Sequence, residues 1–387
     1  MNATMKKQVH WNLVFLFLFV GLQTGLWAQE DCKPVSELKQ LYTTDKDFKQ
    51  TVDKMFKNVH PLPDGSTNPW KGKDVEDLYA FLNEWFYFLP MTDDGLDRII
   101  EFSFLYYKNP DGMQFILEEP GLSWSLDFVE ERGKFMDSEA STKKVDKWLS
   151  NPNLGHEDFV YPEGGFTSFN HFFTRDLKPG ARPITAIDDN SVLVSPADGV
   201  INMINNDVQM DSKLPTKAGM TLSLKELLGN SKFAEKFVGG KAMAVFLLPT
   251  NYHHFHAPIS GIMVESNEEV GDRLFGMPDI LDIINDGNVA YNKDYSVFQN
   301  FKHGYYIIDT KEFGHIAMIP IGLQTIGSVV FEEKFKNIKS TAPVQVYKGD
   351  KLGHFAYGGS TVLLLFEKGK LGGISINLGQ KIGDLHN

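Results

Sequence analysis

The chain has almost no cysteine: Cys32 is the single one in 387 residues. That excludes an intrachain disulfide and any metal site built from cysteine pairs. Basic charge is also short, because 38 Lys+Arg against 50 Asp+Glu leave a formal net charge of -12. General nucleic-acid binding needs a basic footprint, so no nucleic-acid partner is expected. No internal repeat or low-complexity tract is visible. Past the first residues no apolar run approaches the roughly 20 residues of a spanning helix. Two catalytic signatures are missing as well: no H-E-x-x-H accompanies the histidines, and no G-x-S-x-G elbow surrounds the serine considered below.

A hydrophobic content of 42% with 30 Phe supplies a large core, and the length suits about two domains. Residues 1–28 have the layout of a secretory signal. Lys6 and Lys7 form a basic start, Leu13 to Val20 an apolar core, and Leu26-Trp27-Ala28 meets the polar Gln29-Glu30-Asp31. The expectation is a cleaved signal peptide and an exported, periplasmic or extracytoplasmic protein, with an uncleaved anchor as the alternative.

Residues 29–155 read as a helical N-terminal domain. Leu78, Phe81, Leu82, Trp85 and Phe86 recur at helical spacing, and Leu96, Ile99, Ile100 and Phe104 follow, with Thr92 or Asp93 as an N-cap. The Trp85-Phe86-Tyr87-Phe88 run and Trp124 read as core, with a substrate-facing role as the alternative. A turn-rich stretch from Asn151 to Gly165 marks a boundary. Residues 156–387 then form a second domain, whose short apolar runs from about Ser191 alternate with Gly, Pro, Asn and Asp. The runs Val192–Val194, Ala244–Leu248, Tyr305–Ile308, Ile316–Ile319, Val344–Tyr347 and Val362–Phe366 are expected strands. Helices are expected near Leu222–Leu228 and Met277–Ile284. The fold class is therefore α+β, a helical region followed by a β-rich antiparallel domain.

Four stretches carry chemistry. Gly358-Gly359-Ser360-Thr361 leads into the last apolar strand. It is either a glycine turn with capping hydroxyls or a serine placed to attack the Gly359 carbonyl and turn an amide into an ester. Arg175, Lys178 and Arg182 lie among aromatics. They are either solvated cations on a linker or a holder for a carboxylate or phosphate. Asp198 sits in Ser195-Pro196-Ala197-Asp198-Gly199 and either closes a turn or orients a histidine. His253, His254 and His256 fall within four positions after a strand. They read as acid–base groups, metal ligands or satisfied loop residues. Asp, His and Ser together are the groups of nucleophilic serine chemistry, directed at a foreign carbonyl or at the chain's own.

Taken in order, these stretches resemble the pyruvoyl-dependent phosphatidylserine decarboxylase family from about Phe169 to the C-terminus. The resemblance rests on Lys178-Pro179-Gly180-Ala181-Arg182-Pro183-Ile184, Ser195 to Gly199, Tyr252-His253-His254-Phe255-His256-Ala257-Pro258 and Gly359-Ser360-Thr361. It implies a proenzyme that cleaves itself between Gly359 and Ser360 into β and α chains. Ser360 would become the pyruvoyl cofactor, which stands in for PLP as an electron sink. His256, oriented by Asp198, would deprotonate Ser360, and His253 would assist decarboxylation or reprotonation. His254 falls where the family tends to have arginine and is given no role; no metal is implied. The implied reaction converts phosphatidylserine to phosphatidylethanolamine and CO2 through a Schiff base. The expected partners are an amino-acid or aminophospholipid substrate, a peripheral membrane contact and a homodimeric second copy. The long helical region resembles a sub-branch that includes decarboxylases of free aromatic L-amino acids, which is the alternative substrate class. A serine hydrolase using the same triad is the alternative from another class.

Overall fold

Asp45, Asp74 and Asn109 each begin a helix by turning a side-chain oxygen onto free backbone N–H groups. Asp74 and Asp77 do so reciprocally, as a capping box. The computed structural model describes residues 30–62, 64–91, 94–95, 97–210, 224–275, 301–323, 329–356 and 359–379. They belong to the compact unit Cys32–Asn387, apart from the first two. The signal peptide, the Thr92 or Asp93 cap, the helix expected over Met277–Ile284 and Gly358 all lie outside the described residues.

The helical region contains α1 (Lys33–Thr44), α2 (Lys46–Lys57), α3 (Val75–Tyr87), α4 (Asp97–Ser103), α5 (Pro110–Leu117), α6 (Gly121–Met136) and α7 (Val145–Leu149). Its core is aromatic: Trp70, Phe81, Trp85, Phe102, Phe115, Trp124 and Phe128 are buried together, joined by Leu274 and Phe275 from far along the chain. Trp85 and Trp124 are therefore core residues, and the Trp124 indole N–H donates to the Pro34 carbonyl at 2.8 Å. Among the described residues no helix is long and apolar enough to cross a membrane.

The short helix α8 (Phe169–Phe173) is seated by this region. Phe169, Phe172 and Phe173 are buried against Trp148, Val145 and Met136. The Phe169 backbone N–H donates to Ser141 Oγ at 2.8 Å, and the Asn170 amide donates to Asp137 at 2.8 Å. Helix α9 (Leu224–Leu227) lies within the span expected near Leu222–Leu228.

The strands are β1 (Val200–Asn205), β2 (Lys241–Leu247), β3 (His254–His256), β4 (Gly261–Val270), β5 (His303–Asp309), β6 (His315–Leu323), β7 (Val329–Phe331), β8 (Val344–Val346), β9 (Lys351–Phe355) and β10 (Gly359–Phe366). Seven form one antiparallel sheet in the order β1-β2-β10-β6-β5-β4-β8, and three form a second in the order β3-β9-β7. β10 lies in the interior of the large sheet, between β2 and β6. Leu363 and Leu365 enter the core that holds Leu227 and Leu228, whereas Val362, Leu364 and Phe366 face the core that holds Phe255 and Phe355. Burial on both faces explains why β10 reads as an unbroken apolar run rather than an alternation. Val192–Val194, expected as a strand, is irregular chain. The Val194 N–H donates to the Pro258 carbonyl, and Ser195-Pro196 follows at once, so no ladder of backbone bonds can extend there.

Candidate active site

Ser360 is the second residue of β10, opposite Leu247 of β2 and Gly322 of β6. Its side chain is fully buried. The Ser360 Oγ lies 3.1 Å from Nδ1 of His253, which is also fully buried. On the Ser360 side strand alternation sets this meeting. Phe255 of β3 points into the core shared with Val362 and Leu364. His253 immediately precedes β3, and Ser360, two before Val362 on β10, meets it there. The Phe355 N–H holds the His253 carbonyl at 2.8 Å, and the Phe173 ring lies on the imidazole with centroids 3.9 Å apart.

His256 is placed differently from the expectation. It falls on the other side of β3, past a register irregularity between Phe255 and His256. Its Nδ1–H donates to the Gly349 carbonyl at 2.9 Å, which leaves Nε2 to accept from the Tyr252 hydroxyl at 3.1 Å. Gly349 is at φ +87°, where a side chain would be strained and would strike Ile184. The expected hydrogen bond from His256 to Ser360 is not formed. Nor is Asp198 bonded to His256: it accepts from Nε of Arg182 at 3.1 Å and from Nη2 at 2.8 Å. Arg182 also bonds Asp158. The guanidinium fork matches a carboxylate better than a single imidazole N–H does, so it takes Asp198 first. Backbone contact still couples the two segments, since the His256 N–H donates to the Pro196 carbonyl at 2.7 Å.

Electrostatics divide the two histidines. Burial, helped by the Arg175 charge, pushes His253 down to about 3, and the Leu248 and Pro249 carbonyls oppose this only weakly. His253 is therefore neutral at any ordinary pH. Burial also lowers His256, and the Lys351 charge adds to this, but the Gly349 carbonyl and the Asp198 and Asp350 carboxylates pull upward against it. An imidazolium at His256 faces the Lys351 cation but has the Asp198 and Asp350 carboxylates as counter-charges; one at His253 faces the Arg175 cation with no carboxylate among the groups acting most strongly on it.

The three cations of the aromatic stretch also separate. Arg182 is consumed by Asp158 and Asp198, and Lys178 donates to the Glu157 carbonyl at 2.8 Å. Arg175 is buried, at 2% exposure, rather than solvated. His254 donates from Nε2 to the Thr174 carbonyl at 2.8 Å and stacks on Tyr252 at 4.6 Å. Sequence reasoning missed Phe173 and Tyr252 as site residues, and offered Arg175 only as one of three cations that could hold a carboxylate or phosphate. The signal was there, in an aromatic run ending in arginine, but nothing in its spacing says that it folds onto a histidine about eighty positions later.

Comparison with known proteins agrees with this assembly of segments. Residues 169–384 match the profile of the family described as Phosphatidylserine decarboxylase. A "Phosphatidylserine decarboxylase proenzyme" of Clostridium novyi (strain NT) is 35% identical over 266 residues, which are 68% of this chain and 82% of the relative. A proenzyme of the same name from Clostridium tetani (strain Massachusetts / E88) is 34% identical over 240 residues, 62% of this chain and 73% of the relative. "Phosphatidylserine decarboxylase proenzyme 2" of Oryza sativa subsp. japonica is 34% identical over 242 residues, which span 36% of that longer protein. On the match to the profile and the identity to the Clostridium novyi protein, the chain belongs to the phosphatidylserine decarboxylase family.

Proposed function

We infer that the chain is the proenzyme of a carboxy-lyase that converts phosphatidylserine to phosphatidylethanolamine and CO2. One observation carries the reading: a buried serine, directly after a glycine at the head of an interior strand, is hydrogen-bonded to a neutral histidine.

The residues fit a pyruvoyl group made in place from Ser360. The side chains of Ser360 and His253 are closed off from solvent, and the hydroxyl is held 3.1 Å from a ring nitrogen. Such a group supplies the electron-accepting carbonyl that no side chain provides. For its formation, Ser360 Oγ loses its proton and attacks the Gly359 carbonyl carbon, so that the amide becomes an ester. Loss of the Ser360 Cα proton then expels the Gly359 carboxylate and the chain parts between 359 and 360. The dehydroalanine left at 360 tautomerises to an imine, which one water hydrolyses to the pyruvoyl carbonyl with release of ammonia. The proton acceptor in this reading is His256, whose imidazolium the Asp198 carboxylate favours. It reaches Ser360 only after the Tyr252 hydroxyl gives up Nε2, so maturation requires a local rearrangement around β3.

In the mature protein His253 stays beside the reacting centre. Neutral and stacked on the Phe173 ring, it can relay a proton to the substrate carbon from one ring nitrogen while taking one at the other, so that the ring carries no net charge. Phe173 and the fully buried His253 keep water out, which favours loss of a carboxylate's charge as CO2. The relatives described above carry phosphatidylserine in their names, and none of them speaks for free aromatic amino acids or for a serine hydrolase. A lipid substrate makes peripheral contact with a bilayer part of the reading, and residues 1–28 add export to it.

Intact-mass analysis of wild-type protein tests the first half, with the expected split between Gly359 and Ser360 and an α chain that reacts with phenylhydrazine. CO2 release from phosphatidylserine vesicles tests the second half. Ser360→Ala should remain whole and inactive. A single unreactive full-length species with no CO2 release would end the reading.

A further inference from the structure

Arg175 is the one site cation whose donors are left over. It is 2% exposed, and only Nη2 is bonded, to the Thr250 carbonyl at 2.8 Å and more weakly to that of Asn251 at 3.4 Å. Nε and Nη1 are buried with no hydrogen-bond partner. The guanidinium lies over the Phe159 ring at 4.0 Å and near Phe172 at 5.2 Å, which offsets part of the cost of burial. Unpaired buried donors are costly, so two on one charged group point to a partner that is supplied from outside.

Position ties this group to the reacting centre. Thr250 and Asn251 belong to the loop that delivers His253 to Ser360. The helix that precedes Arg175 supplies Phe173, which stacks on that same histidine. The Arg175 charge is close enough to depress His253 and to feel Asp198, and the group itself, brought down to about 10 by burial, is still a cation at neutral pH.

We propose that Arg175 is the substrate-anchoring residue of this site and binds the phosphodiester of the aminophospholipid headgroup through Nε and Nη1. The inference rests on the carboxy-lyase reading of the same site. Phosphatidylserine offers two anions, and the chemistry chooses between them. The carboxylate loses its charge when it leaves as CO2, so a cation fixed on it stabilises the ground state more than the transition state and slows the step. The phosphodiester keeps its charge throughout, so a cation on it anchors substrate without taxing the reaction. A bare serine lacks that anion, which makes Arg175 the basis for choosing a phospholipid headgroup over a free amino acid.

The test uses processed protein, with the Gly359–Ser360 cleavage verified by intact mass in each variant. With a soluble short-chain phosphatidylserine, Arg175→Lys and Arg175→Gln should raise KM by about ten- to a hundredfold, the worth of a charge-assisted hydrogen bond, while kcat changes far less. Calorimetric binding of glycerophosphoethanolamine to wild-type protein should be lost in Arg175→Gln. A fall in kcat with KM unchanged, or retained headgroup binding in Arg175→Gln, overturns the proposal and makes Arg175 a purely structural prop for the 250–251 loop. Should neither variant mature, wild-type protein decides alone. Glycerophosphoethanolamine must bind at least about tenfold more tightly than ethanolamine, as one charge-assisted contact requires; equal binding overturns the proposal. A wild type that neither cleaves itself nor releases CO2 refutes the carboxy-lyase reading instead, a result distinct from any of these.

Discussion

His253 Nδ1 lies 3.1 Å from Ser360 Oγ, with both side chains fully buried, yet His253 is the weaker base of the two histidines nearest the chemistry. Holding a proton on a ring pushed from 6.5 to about 3 costs on the order of 5 kcal/mol. Contact with the serine and capacity to take its proton are thus divided between His253 and His256.

That division predicts different fates for the two. His253→Ala should still cleave itself between Gly359 and Ser360, but lose decarboxylation by roughly 100- to 10,000-fold, the usual worth of a positioned acid–base group. Intact mass and CO2 release on one preparation check both parts. An uncleaved His253→Ala chain would make the contacting histidine the maturation base.

Asp198→Asn and His256→Ala should instead mature slowly or stay whole, because each removes part of the pair that stabilises the transferred proton. A time course of intact mass after expression reads this directly. Arg182→Ala provides a further arm. It frees Asp198 from its bidentate partner, so maturation should continue if the carboxylate acts on His256, whereas loss of cleavage would assign the Arg182–Asp198 pair a structural role.

Folding stability should fall on mild acidification. His253 and His254 are both pushed to about 3 in the folded protein, against 6.5 when exposed. The unfolded chain therefore binds more protons between those values. Their contribution is fully present above about pH 7 and is lost as pH falls through 6.5 toward 3, at about 1.4 kcal/mol per pH unit for each ring. Urea midpoints at pH 8, 6 and 5 check the trend. His254→Gln should flatten the slope, and an unchanged slope in that variant would count against His254 being buried neutral.

Trp148 should matter to the site without touching it. It is fully buried, donates its indole N–H to the Pro90 carbonyl at 2.9 Å, and packs on Phe169 and Phe172. Trp148→Ala should cost about 3–5 kcal/mol and loosen α8, and with it Phe173 and Arg175. Thermal melts would show the loss, and below the melting point KM should rise before kcat falls. A melt within a degree or two of wild type would show that the helical region does not seat α8.

Part of this protein is written in its sequence. The apolar runs Ala244–Leu248 and Val362–Phe366 read as strands and, but for the exposed Leu248, lie in β2 and β10, because burial on both faces leaves an unbroken signal. The helical first third and the motif residues Asp198, His253, His256 and Ser360 are legible for the same reason: period and local residue type are properties of neighbours in the chain. What the tertiary structure alone decided is which of those residues meet. The chain entering β3 brought His253 rather than His256 onto Ser360, a guanidinium fork drew Asp198 away to Arg182, and a helix seated by Trp148 buried Arg175 with donors to spare. Those outcomes depend on pairings between residues tens to a hundred positions apart, and no local pattern encodes a register or a choice among competing partners.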